Sequence, residues 1–461
     1  MMQEADNAAQ PVRSPSDGNH KQPVSRESIH PIYRPLMDGT IPLYEGDLDI
    51  DVGEDVLRAN GRVELRLEPQ VALNVWVPGP ASTNLFFTDD RQRPDRAMTV
   101  PSGSSLQPPT TERPEHKGSE GTFPINPIIA GRLETVTHLL FHFGGALEAR
   151  PSRGGFLGNA GQSQIDFELP AWNLTLVPGN SEIDAFCALV KAEPKADEMD
   201  LSDVERLDRH LFLLLSFIAN REVGAGAVAG LDHSDKVVWS YWAPPRINPQ
   251  RAPIRWCPEP QIGEALPMLG SGISAFDSDE AMVEIIDRAI GYSLAANDNI
   301  LLDVKIPIAC SGLELLSWAV LQREGVMRTG DERRKLGPDG MLRLLLDWAE
   351  IPTAVPADMS ELEDRRQQRC EKVSGGPEVL FNLRNGLVHP PKLLDDPEWP
   401  EPEEQIQAWQ LATWYLELGL LRTLDYNGEY WSRLRLGRSA YDLEPVPWVK
   451  DPSEENLGAG S

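Results

Sequence analysis

The spacing of apolar residues changes near the middle of the chain, and this change limits the possible folds more than any other feature. In the first half, short segments such as 48–52 and 71–77 alternate apolar and polar residues. Alternation with a period of two is typical of strands with one buried face. In the second half, apolar residues recur at helical spacing, as at Met282, Ile286 and Ile290. We therefore predict an α+β multidomain protein, in which an N-terminal β-rich, antiparallel domain is followed by a C-terminal all-α helical bundle.

Proline marks the expected boundary between the two halves. Seven prolines lie between residues 243 and 272, which is typical of an interdomain connection. The first thirty residues and the stretch 89–123 are rich in Pro, Ser and charged residues, which favours mobile chain. The predicted boundaries are a disordered tail at 1–30, a β-rich domain at 31–250 with a mobile loop at 89–123, a linker at 251–277, a helical domain at 278–448 and a tail at 449–461.

Further elements follow from the same periodicities. In the β-rich half we predict strands at 135–143, 165–169 and 172–177, a helix at 201–220 and a hairpin at 223–242 that turns near 232–235. In the helical half we predict helices that begin at Glu280, surround 313–321, span 341–348, follow Pro377 and run over 406–424.

The charge balance argues against a general nucleic-acid binder. The chain carries 71 acidic and 43 basic residues, a formal net charge of −28, whereas a nucleic-acid-binding surface is basic. An RNA would have to meet a local positive patch. Three basic sets could border an RNA groove or lie on solvated helix faces. They are Arg323, Arg328, Arg333, Arg334 and Lys335; Arg365, Arg366 and Arg369; and Arg433, Arg435 and Arg438.

We expect no membrane span, cofactor or metal site. No run approaches the ~20 apolar residues of a membrane span, and the first thirty residues contain no signal core, so we expect a cytoplasmic protein. His138 and His142 lie on one strand but ~13 Å apart, too far for one metal ion. The cysteines have no metal-binding spacing, and we expect reduced, mostly buried thiols. They are Cys187, Cys257, Cys310 and Cys370.

The segment 377–391 combines a short helix with residues capable of catalysis. Pro377 suits the first helical position, and two prolines after His389 end the helix. We predict that Leu380, Leu383 and Leu387 form the core face. The adjacent face of the helix is half apolar and half polar, and it holds Phe381, Arg384, Asn385, Val388 and His389. Such a face suits a second buried contact, for example with a partner subunit. At the helix C-terminus, a protonated imidazole is stabilised by about 0.3–1 kcal/mol.

The pattern Arg384-Asn385-x3-His389 resembles the Arg-polar-x3-His motif of HEPN domains (higher eukaryotes and prokaryotes nucleotide-binding). The resemblance covers roughly residues 278–436 and includes the order of the helices. It implies a metal-independent endoribonuclease that acts as a homodimer and leaves a 2′,3′-cyclic phosphate and a 5′-hydroxyl. Some members of this family keep an acidic residue in the second helix, where Glu314 would tether Arg384. A structural salt bridge of Glu314 is the alternative.

The chemistry of these side chains agrees with that activity. His389 can serve as general acid or base near neutral pH, typically worth about 10²–10⁴ in rate. Arg384 can bind a phosphate with two hydrogen bonds and stabilise the charge that develops on it. Asn385 would orient His389 or Arg384 by a hydrogen bond, or contact the backbone.

Two functions follow from the sequence. The first is an HEPN-type endoribonuclease, a toxin or abortive-infection effector in anti-phage defence, whose N-terminal domain senses a phage-derived trigger or whose activity an antitoxin restrains. The second is a non-enzymatic helical module that dimerises or binds a nucleotide or protein, in which Arg384 and His389 are structural. A metal-dependent hydrolase is disfavoured because no His, Asp or Glu cluster has ligand spacing.

Overall fold

The structure is a computed structural model of the 461-residue chain. It describes residues 29–36, 39–51, 56–67, 71–78, 98–101, 104–109, 118–122, 127–144, 164–178, 187–196, 198–248, 255–258, 261–369, 375–389, 399–434 and 443–449. The predicted tails lie outside the described residues except for 29–30 and 449.

The N-terminal half is built on a single twelve-stranded sheet. Its order is β5-β3-β2-β1-β4-β6-β12-β11-β7-β10-β9-β8, and every neighbouring pair is antiparallel except β4 and β6. The strands are β1 (Thr40–Asp51), β2 (Val56–Arg66), β3 (Ala72–Pro78), β4 (Met98–Thr99), β5 (Gly118–Thr122), β6 (Ile128–Gly131), β7 (His138–Phe143), β8 (Ile165–Leu169), β9 (Trp172–Pro178), β10 (Ala188–Pro194), β11 (Ala225–Leu231) and β12 (Val237–Trp242).

The sheet folds back on itself, so that β1–β3 cover one face of β7 and β10–β12. Alternate residues of β7 enter two different apolar clusters: Leu140 packs with the residues of β1–β3, whereas Phe141 packs with the helices. At Gly226 a Cβ would lie 2.6 Å from Leu65 Cδ2, so a larger residue there would displace the Leu65 side chain between the two layers.

The helices are α1 (Leu201–Ala219), α2 (Ile262–Ser274), α3 (Glu280–Asn297), α4 (Leu302–Arg323), α5 (Gly330–Trp348), α6 (Ser360–Arg369), α7 (Gly376–Val388) and α8 (Pro402–Thr423), followed by the short strands β13 (Glu429–Tyr430) and β14 (Glu444–Pro445). The N-terminal antiparallel sheet and the C-terminal helical region confirm the predicted α+β class.

Helix α1 covers the second face of the sheet. It begins with two reciprocal hydrogen bonds. The Asp200 side chain accepts from the Asp203 N–H at 2.9 Å, and the Asp203 side chain accepts from the Asp200 N–H at 3.1 Å. It ends at Asn220, which has a left-handed φ of 53°. The predicted helix and the hairpin that follows it are confirmed.

Two predicted irregular segments contain regular structure. The stretch 251–277, predicted as a linker, contains α2, which packs on β8 and α1 even though Pro267 lies inside it. Its apolar residues Leu266, Leu269 and Ile273 are buried, and this burial offsets the missing backbone donor of the proline. Within 89–123, predicted as a mobile loop, β4 and β5 pair with β1 and β3; residues 89–97, 102–103, 110–117 and 123 lie outside the described residues.

Helix α4 is the centre of the helical half. It packs against α3, α5, α7 and α8. Within the described residues, α4 is the one helix long and apolar enough to span a membrane by length and composition, and more than half of its most apolar stretch is buried. Burial of this kind is typical of a helix in a protein core.

Candidate functional site

Helix α7 carries the motif, and its first turn is fixed by several contacts. Glu378 accepts a hydrogen bond from the Gly375 N–H at 2.7 Å and forms an ion pair with Arg343 of α5. This charge-assisted hydrogen bonding lowers the pKa of Glu378 although burial alone would raise it. At Gly376 a Cβ would lie 2.2 Å from the Tyr415 hydroxyl, so the close contact with α8 requires glycine. The N-terminus of α7 is therefore held by both α5 and α8.

Helix α7 ends at His389, as the sequence predicts. The His389 N–H donates to the Asn385 carbonyl at 2.7 Å, and its φ of −133° and ψ of 75° leave the helical region. Of the predicted core face, Leu380 and Leu383 are fully buried while Leu387 is only half-buried.

The motif side chains lie at the surface end of the helix. Asn385 and His389 are exposed, and Arg384 is half-buried. Arg384 Nη1 donates to Asn385 Oδ1 at 3.1 Å. Arg384 Nε is buried and has no hydrogen-bond partner among the described residues. The structure therefore brings Arg384 and Asn385 into contact and places His389 on the next turn.

Arg384 lies close enough to Cys310 of α4 for its charge to act on the thiol. Burial raises the pKa of the Cys310 thiol, the positive charge of Arg384 opposes that rise, and the negative charge of Glu314 adds to it. Glu314 and Arg384 thus lie near the same buried thiol. No ion pair within 4 Å joins Glu314 to Arg384 in the part of the chain that the structure describes, so the predicted tether is not formed there.

A buried arginine that the sequence analysis did not single out lies against the same helix. Arg365 of α6 is 4% exposed. Its Nε donates to Asn382 Oδ1 of α7 at 3.2 Å, and its Nη1 pairs with Glu404 of α8 at 3.0 Å. A Cβ at Gly386 would lie 3.4 Å from Arg365 Nη2. The sequence places Arg365 only within a basic set; the glycine inside the motif was the available signal of a close approach.

Most of the predicted basic sets have ionic or aromatic partners within the protein. Arg323 pairs with Asp279, Arg366 with Glu363, and Arg433 with Glu417. Arg333 lies over the ring of Trp318. These four cations are therefore engaged within the fold. Arg435 and Arg438 lie outside the described residues.

Several apolar side chains near the ends of the helices are exposed. Lys305 near the start of α4 lies over the Trp409 ring of α8, and Trp409 Nε1 donates to the Ala296 carbonyl at 2.8 Å near the end of α3. The end of α3 and the start of α4 therefore lie beside α8, and Gly386 near the end of α7 lies beside Pro400, which precedes α8. We call the exposed apolar residues near these helix ends the apolar end: Ile300, 40% exposed; Leu301, 72%; Val304, 45%; Val388, 43%; Trp399, 51%; and Ile406, 42%.

No group of three or more His, Cys, Asp or Glu side chains among the described residues could hold a metal ion. His142 is fully buried, and His138 is half-buried. Cys187, Cys257 and Cys310 are free thiols, and Cys370 lies outside the described residues.

The helical half of the chain matches a known protein family. Residues 279–444 match the family model of the YopA C-terminal domain, so the match begins at the N-cap of α3 and ends in β14. The chain is similar to the SPbeta prophage-derived uncharacterized protein YopA of Bacillus subtilis (strain 168), with 26% identity over 250 residues, 54% of each chain. The chain thus spans about half the length of the curated relative it matches. No solved structure matches it.

Proposed function

We propose that this protein is a metal-independent endoribonuclease of the HEPN type. The observation that carries the proposal is the placement of Arg384, Asn385 and His389 on the last turn and C-cap of α7, at the surface end of a helical bundle. A cation, an amide and an imidazole are there accessible to a phosphodiester, while the start of the same helix is firmly held.

Each side chain has a defined role in the proposed reaction. His389 removes the proton of the ribose 2′-hydroxyl or protonates the leaving 5′-oxygen. Arg384 binds the scissile phosphate and stabilises the charge that forms as the 2′-oxygen attacks. Asn385, through its contact with Arg384 Nη1, orients the guanidinium. The products are a 2′,3′-cyclic phosphate and a 5′-hydroxyl.

The proposed active form is a homodimer assembled through the helical domain. One copy supplies one imidazole, whereas the reaction uses both an acid and a base. The apolar end lies beside the motif, and exposed apolar residues grouped in one place are typical of interaction surfaces. A second copy docked there brings a second Arg384 and His389 close to the first pair.

In the cell we propose a cytoplasmic toxin or abortive-infection effector that acts in anti-phage defence. The N-terminal sheet would sense a phage-derived trigger, or an antitoxin would hold the enzyme silent. The prophage origin given for the relative in Bacillus subtilis fits a function in the encounter between phages and their host.

Expression in bacteria tests the proposal in the cell. Wild-type protein should stop growth and fragment total RNA, whereas His389→Ala and Arg384→Ala should do neither, because each removes a group that acts on the phosphodiester. His233→Ala, a histidine in the exposed β11–β12 turn, is the matched control and should stay toxic. Harmless wild-type protein, with and without phage infection, would contradict the proposal.

A non-enzymatic binding module is the second candidate, and the apolar end is the observation that favours it. In this case the helical domain dimerises or binds a protein or nucleotide, and the motif residues only shape that surface. Binding would then survive His389→Ala, whereas Val388→Asp would weaken it.

A further inference from the structure

We propose that Arg365 is the positioning residue of the ribonuclease site, because it fixes the last turns of α7 against α8. The inference rests on the proposed function and adds a residue outside the motif. Arg365 does not lie on the motif helix, and it acts through Asn382 rather than on the substrate.

The contacts of Arg365 join three helices at one point. Its side chain is 4% exposed and begins on α6. One nitrogen donates to Asn382 Oδ1 on α7 at 3.2 Å, and another pairs with Glu404 on α8 at 3.0 Å. Glu404 is itself mostly buried, with 16% of its side chain exposed. A buried, charge-assisted hydrogen bond in a fixed fork geometry restricts rotation more strongly than apolar packing does.

The position of this contact along α7 makes it relevant to the motif. Asn382 and Gly386 are four residues apart and share one side of the helix, and His389 follows on the same side one turn later. At Gly386 a Cβ would lie 3.4 Å from Arg365 Nη2 and 3.8 Å from Pro400 Cγ. The guanidinium therefore lies directly against the backbone that precedes His389.

The two ends of α7 are held differently. Arg343 pairs with Glu378 in the first turn, far from the motif along the helix. Arg365 holds the second half through Asn382. Since His389 is exposed and has no described side-chain partner, the position of its Cα depends on the backbone against which Arg365 packs. Small displacements of a catalytic group reduce rates strongly, by up to about 10²-fold for ~1 Å.

The test uses the full-length chain and the variants Arg365→Gln, Asn382→Ala and the two combined, with Arg343→Gln as the matched control. Steady-state cleavage of a single-stranded RNA and hydrogen exchange of the amides of residues 385–389 are measured at a temperature where every variant is folded. We expect Arg365→Gln and Asn382→Ala each to lower kcat by about tenfold with little change in KM, and the double variant to lose no more. Exchange at 385–389 should become faster in all three.

The control separates positioning from general stability. Arg343→Gln should lower the melting temperature while kcat and exchange at 385–389 stay near the wild-type values. Equal kcat for Arg365→Gln and Arg343→Gln would overturn the inference while leaving the ribonuclease intact. If the wild type cleaves no RNA, the proposed function fails, and the exchange measurement still decides the inference: unchanged exchange in Arg365→Gln would overturn it.

Discussion

His142 illustrates how one buried side chain links the N-terminal segment to the sheet. Its Nε2 accepts the Ile32 N–H at 3.1 Å and its Nδ1 donates to the Ala227 carbonyl at 3.2 Å, which requires a neutral ring. The Tyr33 ring packs on it edge to face, with ring centroids 4.9 Å apart. Desolvation lowers the pKa of His142 from 6.5 to about 3.

This pKa makes the stability of the protein depend on pH. Between pH 3 and 6.5 the unfolded chain binds a proton at His142 that the folded protein excludes, so the free energy of unfolding increases as pH rises through this window. The contribution is about 1.4 kcal/mol per pH unit. Glutamine does not titrate, so in His142→Gln the slope of the free energy of unfolding against pH should fall by the amount that one proton contributes. Urea unfolding at pH 4, 5 and 6 measures this slope. The same slope in both proteins would contradict the assignment.

At the scale of the element, the sequence predicts α7 well because its signals are local. Pro377, the leucine spacing and the prolines after His389 all lie within the helix or next to it. Helix α6 was not predicted, because its sequence SELEDRRQQR offers almost no apolar stripe. The contact of Arg365 with Asn382 and Glu404 joins residues 17 and 39 positions apart, and single-sequence periodicity does not indicate such pairings.

Two helical glycines, one tightly packed and one in open space, give a matched pair of variants. Gly376→Ala places a Cβ against the buried Tyr415 and should destabilise the protein by about 1–3 kcal/mol. Gly291→Ala, inside α3 with nothing within 4 Å, should stabilise it by about 0.5–1 kcal/mol, because alanine is the better helix former. Chemical denaturation measures both. Equal effects at the two positions would show that the close contact between α7 and α8 is absent.

At the scale of the whole molecule, the two halves share one core. Trp256 is fully buried and donates to the Phe217 carbonyl at the end of α1 at 3.0 Å. Its ring also packs on Tyr426 after α8, and its carbonyl accepts the Trp431 N–H at 2.7 Å. The sequence predicts the two classes of structure but not this junction, since the proline-rich stretch favours a linker. The order of the sheet also depends on pairings between distant strands that periodicity does not identify.

This shared core predicts that the halves unfold together. Trp256→Ala removes a large buried ring and should cost about 3–5 kcal/mol. Because the ring contacts both halves, the slowest-exchanging amides of β7 and α8 should lose the same free energy of protection in this variant, as measured by hydrogen exchange. Protection lost in α8 alone would show that the sheet folds independently.

Cleavage of RNA by the purified full-length protein tests the central claim most directly. Wild type, Arg384→Ala, His389→Ala and the control His233→Ala, each confirmed folded, are incubated with single-stranded RNA in excess EDTA, and the product ends are identified. We expect the wild type and the control to cleave RNA in the presence of EDTA and to leave 2′,3′-cyclic phosphate and 5′-hydroxyl ends. The rate in the other two variants should fall by at least about 10²-fold. Cleavage that persists in His389→Ala, or that EDTA abolishes, would contradict it.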